Sequence, residues 1–212
     1  MNYAMNKTSV TSPKLAPSPV GSDGVVARSF SRIAEDEKLT TRKSLMMTFG
    51  IEPPTTRDAR WCFDQLFAEL NSRFDGGFDP ARSISADPQE LTLPKGLLIL
   101  ARLQGGPVGC GALKFHKKEP AELKRMWIAE SARGLGVGRR LLAELERHAR
   151  KADVKVLRLE TNRALYEAIH LYRRSGYAEV RAFNAEPYAH HWFEKQLVIS
   201  DRKRNQNVKG KS

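Results

Sequence analysis

The chain has 212 residues, of which 41% are hydrophobic, and its 36 lysines and arginines against 24 acidic residues give a formal net charge of +12. This length and apolar content are sufficient for one well-packed core, which excludes a chain that is disordered throughout. No stretch approaches the ~18 consecutive apolar residues of a membrane-spanning helix, so no membrane partner is expected.

Cysteine usage and charge distribution indicate the cellular compartment and the classes of binding partner. Cys62 and Cys110 lie far apart in unlike segments and fit no metal-binding spacing, so we expect a reducing, cytoplasmic compartment and no metal. The positive charge can steer anionic ligands toward the protein. Much of it lies in the C-terminal tail, and no RNA-binding motif accompanies it, so a nucleic-acid partner is not expected.

The predicted domain covers residues 47–200. Residues 1–46 are poor in apolar side chains and rich in Ser, Thr, Pro and Asn, so they are expected to be disordered or loosely attached. A transit peptide and a translation start placed too far upstream are alternative readings of this segment. Residues 201–212 are predicted to form a basic disordered tail.

The periodicity of the sequence predicts an α/β layer fold with a central mixed sheet. A strand over 48–52 precedes a helix that Thr55 or Thr56 caps and that runs to about Phe74. A loop over 78–95 follows. The remaining predicted elements are strands at 97–103, 108–115 and 121–129, a helix at 137–151, a strand at 154–161, a helix at 163–174, and strands at 177–180 and 191–198.

The most informative segment is the run Arg133-Gly134-Leu135-Gly136-Val137-Gly138, between a predicted strand and a strongly periodic helix. Glycines are costly in regular structure but allow backbone amides to turn outward. The open amides and positive dipole end of the following helix form an anion site. The lysine and hydroxyl of a P-loop are missing, and so is the third glycine of a dinucleotide fingerprint.

The remaining pattern, R-x-x-G-x-G, resembles the acetyl-CoA loop of the GNAT family of N-acetyltransferases. Leu171-Tyr172 followed by Gly176-Tyr177 resembles the family's second motif, in the expected order and between the expected elements. The resemblance covers roughly residues 48–199 and is greatest to small bacterial acetyltransferases that also occur fused behind MarR-type regulator domains. It implies the GNAT fold, with a mostly antiparallel sheet flanked by helices.

The resemblance also implies how acetyl-CoA is held. The backbone amides of Gly134, Leu135, Gly136, Val137 and Gly138, helped by the charges of Arg133 and Arg139, would bind the pyrophosphate. The end of the preceding strand, at Met126, Trp127 and Ile128, would lie along the pantetheine arm and polarise the carbonyl through an amide. Asn162 matches a position that often contacts this arm. It could also cap the helix predicted to begin at Arg163.

The family transfers the acetyl group directly to an amine, without an acyl-enzyme, and the resemblance implies the same here. Tyr172 would be the acid that protonates the departing thiolate, although a tyrosine on an ordinary amphipathic helix face is the alternative. Glu122 matches the offset of the general-base glutamate in histone acetyltransferases, but could instead pair with Lys124 or Arg125. Glu160, at the end of the next strand, is the other candidate base.

The acceptor side is less well defined by the sequence. Arg73, Phe74, Phe78 and Asp79 are expected to line it. His190 and His191 should point to opposite faces of a strand, so they cannot easily share a metal ion, and one of them is expected to face the substrate cleft.

These features favour an acetyl-CoA-dependent N-acetyltransferase that acts on a small amine or an amino acid. A protein lysine or N-terminal acetyltransferase remains open, as does a non-catalytic CoA-binding regulator. The sequence also leaves a homodimer open.

Overall fold

The computed structural model describes residues 46–84, 86–117 and 120–198. The predictions for residues 1–45 and for the tail lie outside the described residues. The strands are β1 (Met47–Ile51), β2 (Gly96–Leu103), β3 (Gly106–Lys114), β4 (Ala121–Ile128), β5 (Val156–Thr161), β6 (Ala178–Val180) and β7 (His191–Gln196). The α-helices are α1 (Arg57–Arg73), α2 (Val137–Lys151) and α3 (Tyr166–Arg174), with short 3₁₀ helices at Pro88–Leu91 and Glu130–Ala132.

The strands form one sheet in the order β1-β2-β3-β4-β5-β7-β6. Neighbouring strands are antiparallel except β4 and β5, which are parallel. Antiparallel neighbours need only short turns, whereas the parallel pair needs a crossover, which here contains α2. The predicted order of elements and the mixed, mostly antiparallel sheet are therefore confirmed.

Both faces of the sheet are covered. Successive strand residues point to opposite faces, so in β2 Leu97 and Ile99 pack toward α2 and α3, while Leu98 and Leu100 pack toward α1. Burial on both sides explains the continuous apolar run of β2, which has no polar alternation. In the part of the chain that the structure describes, no helix has the length and apolar character that crossing a bilayer requires.

Helices α1 and α2 match their sequence signals. Thr56 caps α1, with its hydroxyl accepting a bond of 3.3 Å from the Ala59 amide. On α2, Leu141, Leu142 and Leu145 form one fully buried stripe. Each such leucine contributes about 1.5–3 kcal/mol of hydrophobic burial. This stripe fixes α2 on the sheet beside the end of β4.

The start of α3 differs from the prediction. The helix begins at Tyr166 rather than Arg163, and its N-cap is Leu165, which makes no side-chain cap. Asn162 Oδ1 accepts instead from the Ala164 amide at 2.8 Å, and the Leu165 amide donates to the Asn162 carbonyl at 3.0 Å. These bonds close a turn before the helix, so the predicted capping role of Asn162 is wrong. Asparagine favours such local turns for the same reason that it favours caps.

Candidate functional site

The site begins where β4 and β5 separate. The two strands pair only at Ala121 with Leu157 and at Glu122 with Arg158. Beyond these pairs β5 follows β7 to Thr161, while β4 follows β3 to Ile128. Among the described residues, no strand therefore lies beside this edge of β4 from Leu123 onward. We call the gap between the separating strands β4 and β5 the wedge. An extended ligand with amide groups could occupy it as an additional sheet partner.

The glycine loop, residues 133–138, lies at the open end of the wedge. Gly134 and Gly136 both have a φ of 76°, a left-handed conformation that glycine adopts without steric cost. Gly136 is the N-cap of α2 and offers no side chain to the first amides, and the first helical turn contains no acidic residue. The chain thus leaves the positive end of a long helix for an outside anion.

Gly138 lies where the loop meets two neighbouring elements. A Cβ atom there would lie 3.4 Å from Leu171 Cδ2 and 3.6 Å from Ile128 Cγ1, which are ordinary van der Waals distances. The first turn of α2 therefore packs against both α3 and the end of β4 at this position. Leu135 packs against the small core cluster that includes Val137, and this contact anchors the loop.

Arg133 lies toward α1. Its guanidinium contacts both carboxylate oxygens of Glu69 at 2.7 and 2.6 Å, and its Nε donates to the Ile128 carbonyl at 3.2 Å. Glu69 also accepts from Trp127 Nε1 at 2.9 Å and from Arg73 at 2.9 Å. Glu69 thus ties the loop, β4 and α1 together, and it neutralises part of the charge expected to face an anion. Arg139, by contrast, is exposed.

A cavity of about 150 Å³ lies deeper in the wedge. Its apolar wall comes mainly from α1 and the segment after it, including Phe67, Phe74 and Phe78. Its ionisable lining consists of Lys124, Arg125, Glu160 and Glu186, and Tyr172 reaches it from α3. Of the candidate site residues, the cavity brings together Met126, Glu160, Asn162 and Tyr172.

The two candidate carboxylates have different surroundings. Lys124 Nζ lies 3.0 Å from Glu122 and makes a closer contact with Glu160. Glu122 also pairs with Arg158 at 3.0 Å and with His116 at 3.2 Å, and it is not among the residues that line the cavity. Burial alone would raise the pKa of Glu122, but Lys124, Arg158 and His116 outweigh this effect, so the pKa is lowered. The ion pair with Lys124, which the sequence offered as the alternative to a general-base role for Glu122, is therefore observed.

Glu160 faces the cavity. Its side chain is only 9% exposed, one oxygen contacts Lys124, and the other, Oε2, is buried with no hydrogen-bond partner in the structure. An unpartnered buried carboxylate oxygen is costly, and such exceptions need an explanation. A cationic ligand group in the cavity would supply the missing partner.

Tyr172 is buried near this carboxylate. Its ring packs 5.8 Å from that of Tyr177 and 6.1 Å from that of Phe193. Burial, and secondarily the negative charge of Glu160, raise the pKa of Tyr172 well above its usual value. The phenol therefore stays protonated at neutral pH and can act as a hydrogen-bond donor within the cavity.

A β-bulge in β4 brings neighbouring side chains to the same cavity. Arg125 has a φ of 57°, and the pairing of β3 with β4 shifts between Cys110 and Ala112. Adjacent strand residues normally face opposite sides, yet Lys124, Arg125 and Met126 all line the cavity. The Arg125 carbonyl accepts from Cys110 Sγ at 3.2 Å, which helps to hold the bulge.

The segment before β7 closes the cavity on the far side. Glu186 accepts from the Ile84 amide at 2.6 Å and from Ser83 Oγ at 3.0 Å. The Tyr188 carbonyl accepts from Asn162 Nδ2 at 2.7 Å. Sequence reasoning missed Glu186 and Tyr188 because they lie in an irregular segment without periodicity, and only tertiary contacts bring them to the site.

The structure places the four residues that were expected on the acceptor side in different surroundings. Phe74 and Phe78 line the cavity, Arg73 lies in the neighbouring groove, where it pairs with Glu167 at 2.7 Å, and Asp79 is exposed. The prediction that a histidine faces the cleft is wrong for this cavity, since neither histidine lines it. His190 precedes β7 and is exposed, and His191 pairs with Glu179 at 2.6 Å.

Among the described residues, no group of three or more His, Cys, Asp or Glu side chains could hold a metal ion.

The model of the acetyltransferase (GNAT) family matches residues 63–177. An "IAA acetyltransferase" of Azospirillum brasilense is 41% identical over 128 residues, which cover 58% of this chain and 80% of that protein. An uncharacterized N-acetyltransferase of Schizosaccharomyces pombe is 30% identical over 99 residues, 46% of this chain and 58% of its own length.

Solved structures share the fold. A Klebsiella pneumoniae protein assigned as an acyl-CoA N-acyltransferase superposes with a TM-score of 0.60 at 32% identity, over 72% of this chain and 99% of that one. A GNAT-family acetyltransferase of Staphylococcus aureus gives the same TM-score and coverage at 16% identity.

Proposed function

The chain belongs to the acetyltransferase (GNAT) family, and on this premise we propose that it transfers an acetyl group from acetyl-CoA directly to the amino group of a small molecule or amino acid. The observation that carries the proposal is the wedge between β4 and β5. At its open end lies the helix entrance, by which we mean the uncapped N-terminus of α2 at Gly136, and its cavity contains an unpartnered carboxylate oxygen, Glu160 Oε2. Acetyl-CoA, when bound, supplies an activated acyl group as a thioester.

The residues of the wedge fit this co-substrate. The amides around Gly134, Gly136 and Gly138 would hold the diphosphate, with Arg139 adding positive charge. The edge of β4 at Met126, Trp127 and Ile128, beside which no described strand lies, would bind the amides of the pantetheine arm as an adjacent strand does. An amide of this edge would also stabilise negative charge on the carbonyl oxygen. Arg133, held by Glu69, would chiefly position the loop.

Glu160 is the residue that we assign as general base. An alkyl ammonium has a pKa near ~10, so the acceptor must lose a proton before it can attack at neutral pH. Glu160 Oε2 is buried in the cavity with no partner, and can first bind the ammonium and then take its proton. Glu122 would support this site indirectly, by sharing Lys124 with Glu160.

Tyr172 would stabilise the departing thiolate. Because burial raises the pKa of its hydroxyl, full proton transfer to sulfur is less favourable than donation of a strong hydrogen bond. A hydrogen bond to a charged group contributes about 1.5–3 kcal/mol. We therefore expect Tyr172→Phe to lower kcat by about 10- to 100-fold in a thiol-release assay, while calorimetry shows unchanged affinity for CoA.

Tyr177→Phe is the matched control for this prediction. Tyr177 is also a buried tyrosine, and its ring lies 5.8 Å from that of Tyr172, but it does not line the cavity. Its loss should change thermal stability more than kcat. Equal kcat values for the wild type and Tyr172→Phe would remove Tyr172 from the mechanism.

The function itself is tested by release of CoA thiol from acetyl-CoA over a panel of amines, amino acids and lysine-containing peptides. Turnover with small amines or amino acids supports the proposal. Turnover only with peptides would favour a protein acetyltransferase. Tight CoA binding without turnover on any acceptor would favour a non-catalytic regulator.

A further inference from the structure

The cavity in the wedge is lined on one side by four aromatic rings. Phe78 packs 5.7 Å from Phe67, 5.8 Å from Phe74 and 4.9 Å from Tyr188, measured between ring centroids. We call these four rings the aromatic wall. An apolar cavity of about 150 Å³, the volume found here, accommodates a benzene molecule. Because apolar surface is stabilised when it leaves water, the aromatic wall favours a ligand with an aromatic or bulky apolar body.

The Arg125 guanidinium is already partnered beside this wall. It lies 4.5 Å from the centroid of Phe67 and 5.3 Å from that of Phe63, and NH2 donates to the Ala86 carbonyl at 3.4 Å. Burial lowers the pKa of Arg125, and the negative charge of Asp87 acts in the opposite direction. Arg125 therefore extends the wall by stacking on it and is not set aside for an anionic ligand.

Lys124, which also lines the cavity, is partnered as well. Its Nζ lies 3.0 Å from Glu122 and makes a closer contact with Glu160. A ligand carboxylate in the cavity would have to compete with both glutamates for this ammonium. Burying a carboxylate without a cation of its own is costly. The surroundings of Lys124 and Arg125 therefore disfavour an acceptor that carries a carboxylate.

The two carboxylates that line the described part of the cavity differ in what they can still bind. Glu186 accepts from the Ile84 amide at 2.6 Å, from Ser83 Oγ at 3.0 Å and from the Tyr188 amide at 3.2 Å, so both of its oxygens are satisfied. Glu160 Oε2 is buried and has no hydrogen-bond partner among the described residues. The cavity can therefore pair one ligand ammonium, whereas a second positive group would find no carboxylate oxygen left for it.

We propose that the acceptor is a monoamine with an aromatic or bulky apolar body and no carboxylate, an arylalkylamine in chemical class, whose ammonium binds Glu160 and whose body packs against the aromatic wall. This inference rests on the proposed function, because it names the acceptor of that reaction. A polyamine would bury a second positive charge without a partner, and an amino acid would bury a carboxylate without one.

The first test compares three acceptors in the thiol-release assay. 2-Phenylethylamine has the ring and one charge, L-phenylalanine adds a carboxylate, and ethylamine lacks the ring. For the wild type we expect kcat/KM for phenylethylamine to exceed that for each of the other two by about tenfold or more, because the ring is buried and no further charge is. A kcat/KM for phenylalanine or for ethylamine that equals or exceeds the value for phenylethylamine would overturn the inference.

Variants of the wall test which residues create the preference. Phe78→Ala removes the ring that contacts the three others, so the preference for phenylethylamine over ethylamine should fall to within about threefold. Phe78→Leu keeps apolar bulk and should retain part of it. Phe49 is a matched control, since it is a partly buried phenylalanine on β1 that does not line the cavity, and Phe49→Ala should keep the wild-type preference. A preference that survives Phe78→Ala, or one that is lost equally in Phe49→Ala, would contradict the role of the wall.

A binding experiment separates this inference from the proposed function. Calorimetry of the three compounds with the CoA-loaded protein needs no turnover, and we expect phenylethylamine to bind about tenfold or more tightly than either of the others. Binding of phenylethylamine without acetylation would contradict the proposed reaction and support the site. Acetylation of amines with no preference for phenylethylamine would contradict the site and support the reaction.

Discussion

Glu160→Gln should lower kcat/KM by about 10² to 10⁴, the usual contribution of a positioned general base. Glutamine keeps the shape of the side chain but cannot accept the proton of the acceptor ammonium. The deficit should shrink as the pH rises toward the pKa of the free amine, near ~10, because the solution then supplies neutral amine. Thiol release measured across this pH range for the wild type and the variant provides the check.

Glu122→Gln is the matched control. Both glutamates contact the same lysine, Lys124, so each variant removes one carboxylate from one buried cation. Glu122 also holds Arg158 and His116, so its loss should lower thermal stability while kcat stays within a few-fold of wild type. Assays should be run at a temperature at which circular dichroism shows both variants folded. A large loss of kcat in Glu122→Gln, with little loss in Glu160→Gln, would reverse the assignment of the base.

The second large effect is expected at the helix entrance. Gly136→Asp should weaken CoA binding at least tenfold relative to Gly136→Asn. A Cβ at Gly136 has no atom within 4 Å, and Asn and Asp tolerate its left-handed backbone better than other residues. The two variants differ by one negative charge next to the proposed diphosphate site. Two unit charges 4 Å apart interact by about 4 kcal/mol near a protein surface, which exceeds the ~1.4 kcal/mol of a tenfold change.

Thermal unfolding without ligand distinguishes this effect from damage to the fold. An acidic residue at a helix N-terminus is favourable by about 0.3–1 kcal/mol, so Gly136→Asp should be at least as stable as Gly136→Asn. Equal CoA affinities in the two variants would show that the diphosphate does not lie at this helix entrance. Higher salt should narrow the difference, since the interaction is between charges.

The order of elements could be predicted because each carries a local signal. The bounds of α2, Val137–Lys151, follow from a glycine turn and an uninterrupted apolar stripe, and the hairpin of β2 and β3 follows from two apolar runs around a glycine turn. The start of α3 could not be predicted in the same way. Asn162 favours a turn and a cap by the same chemistry, and only the observed bond to Ala164 distinguishes them.

The site was less predictable because long-range contacts and one unusual backbone conformation determine it. The sequence presents Lys124 and Arg125 as alternating strand residues, which should face opposite sides. The left-handed φ of Arg125 brings both side chains to one cavity. An arginine at this position of the sequence does not indicate such a bulge. Similarly, the sequence offers both Glu122 and Glu160 as candidate bases, and only their neighbours in the structure distinguish them. Lys124, Arg158 and His116 surround Glu122, whereas Glu160 keeps one oxygen without a partner.

The most direct test of the account is calorimetric titration of the folded wild-type protein with acetyl-CoA. We predict saturable binding at one site per chain, weakened by added salt and by Gly136→Asp, because the helix entrance and the separated strands form one site for this molecule. Protein that remains folded by circular dichroism but releases or absorbs no heat with acetyl-CoA at any temperature tried would contradict it.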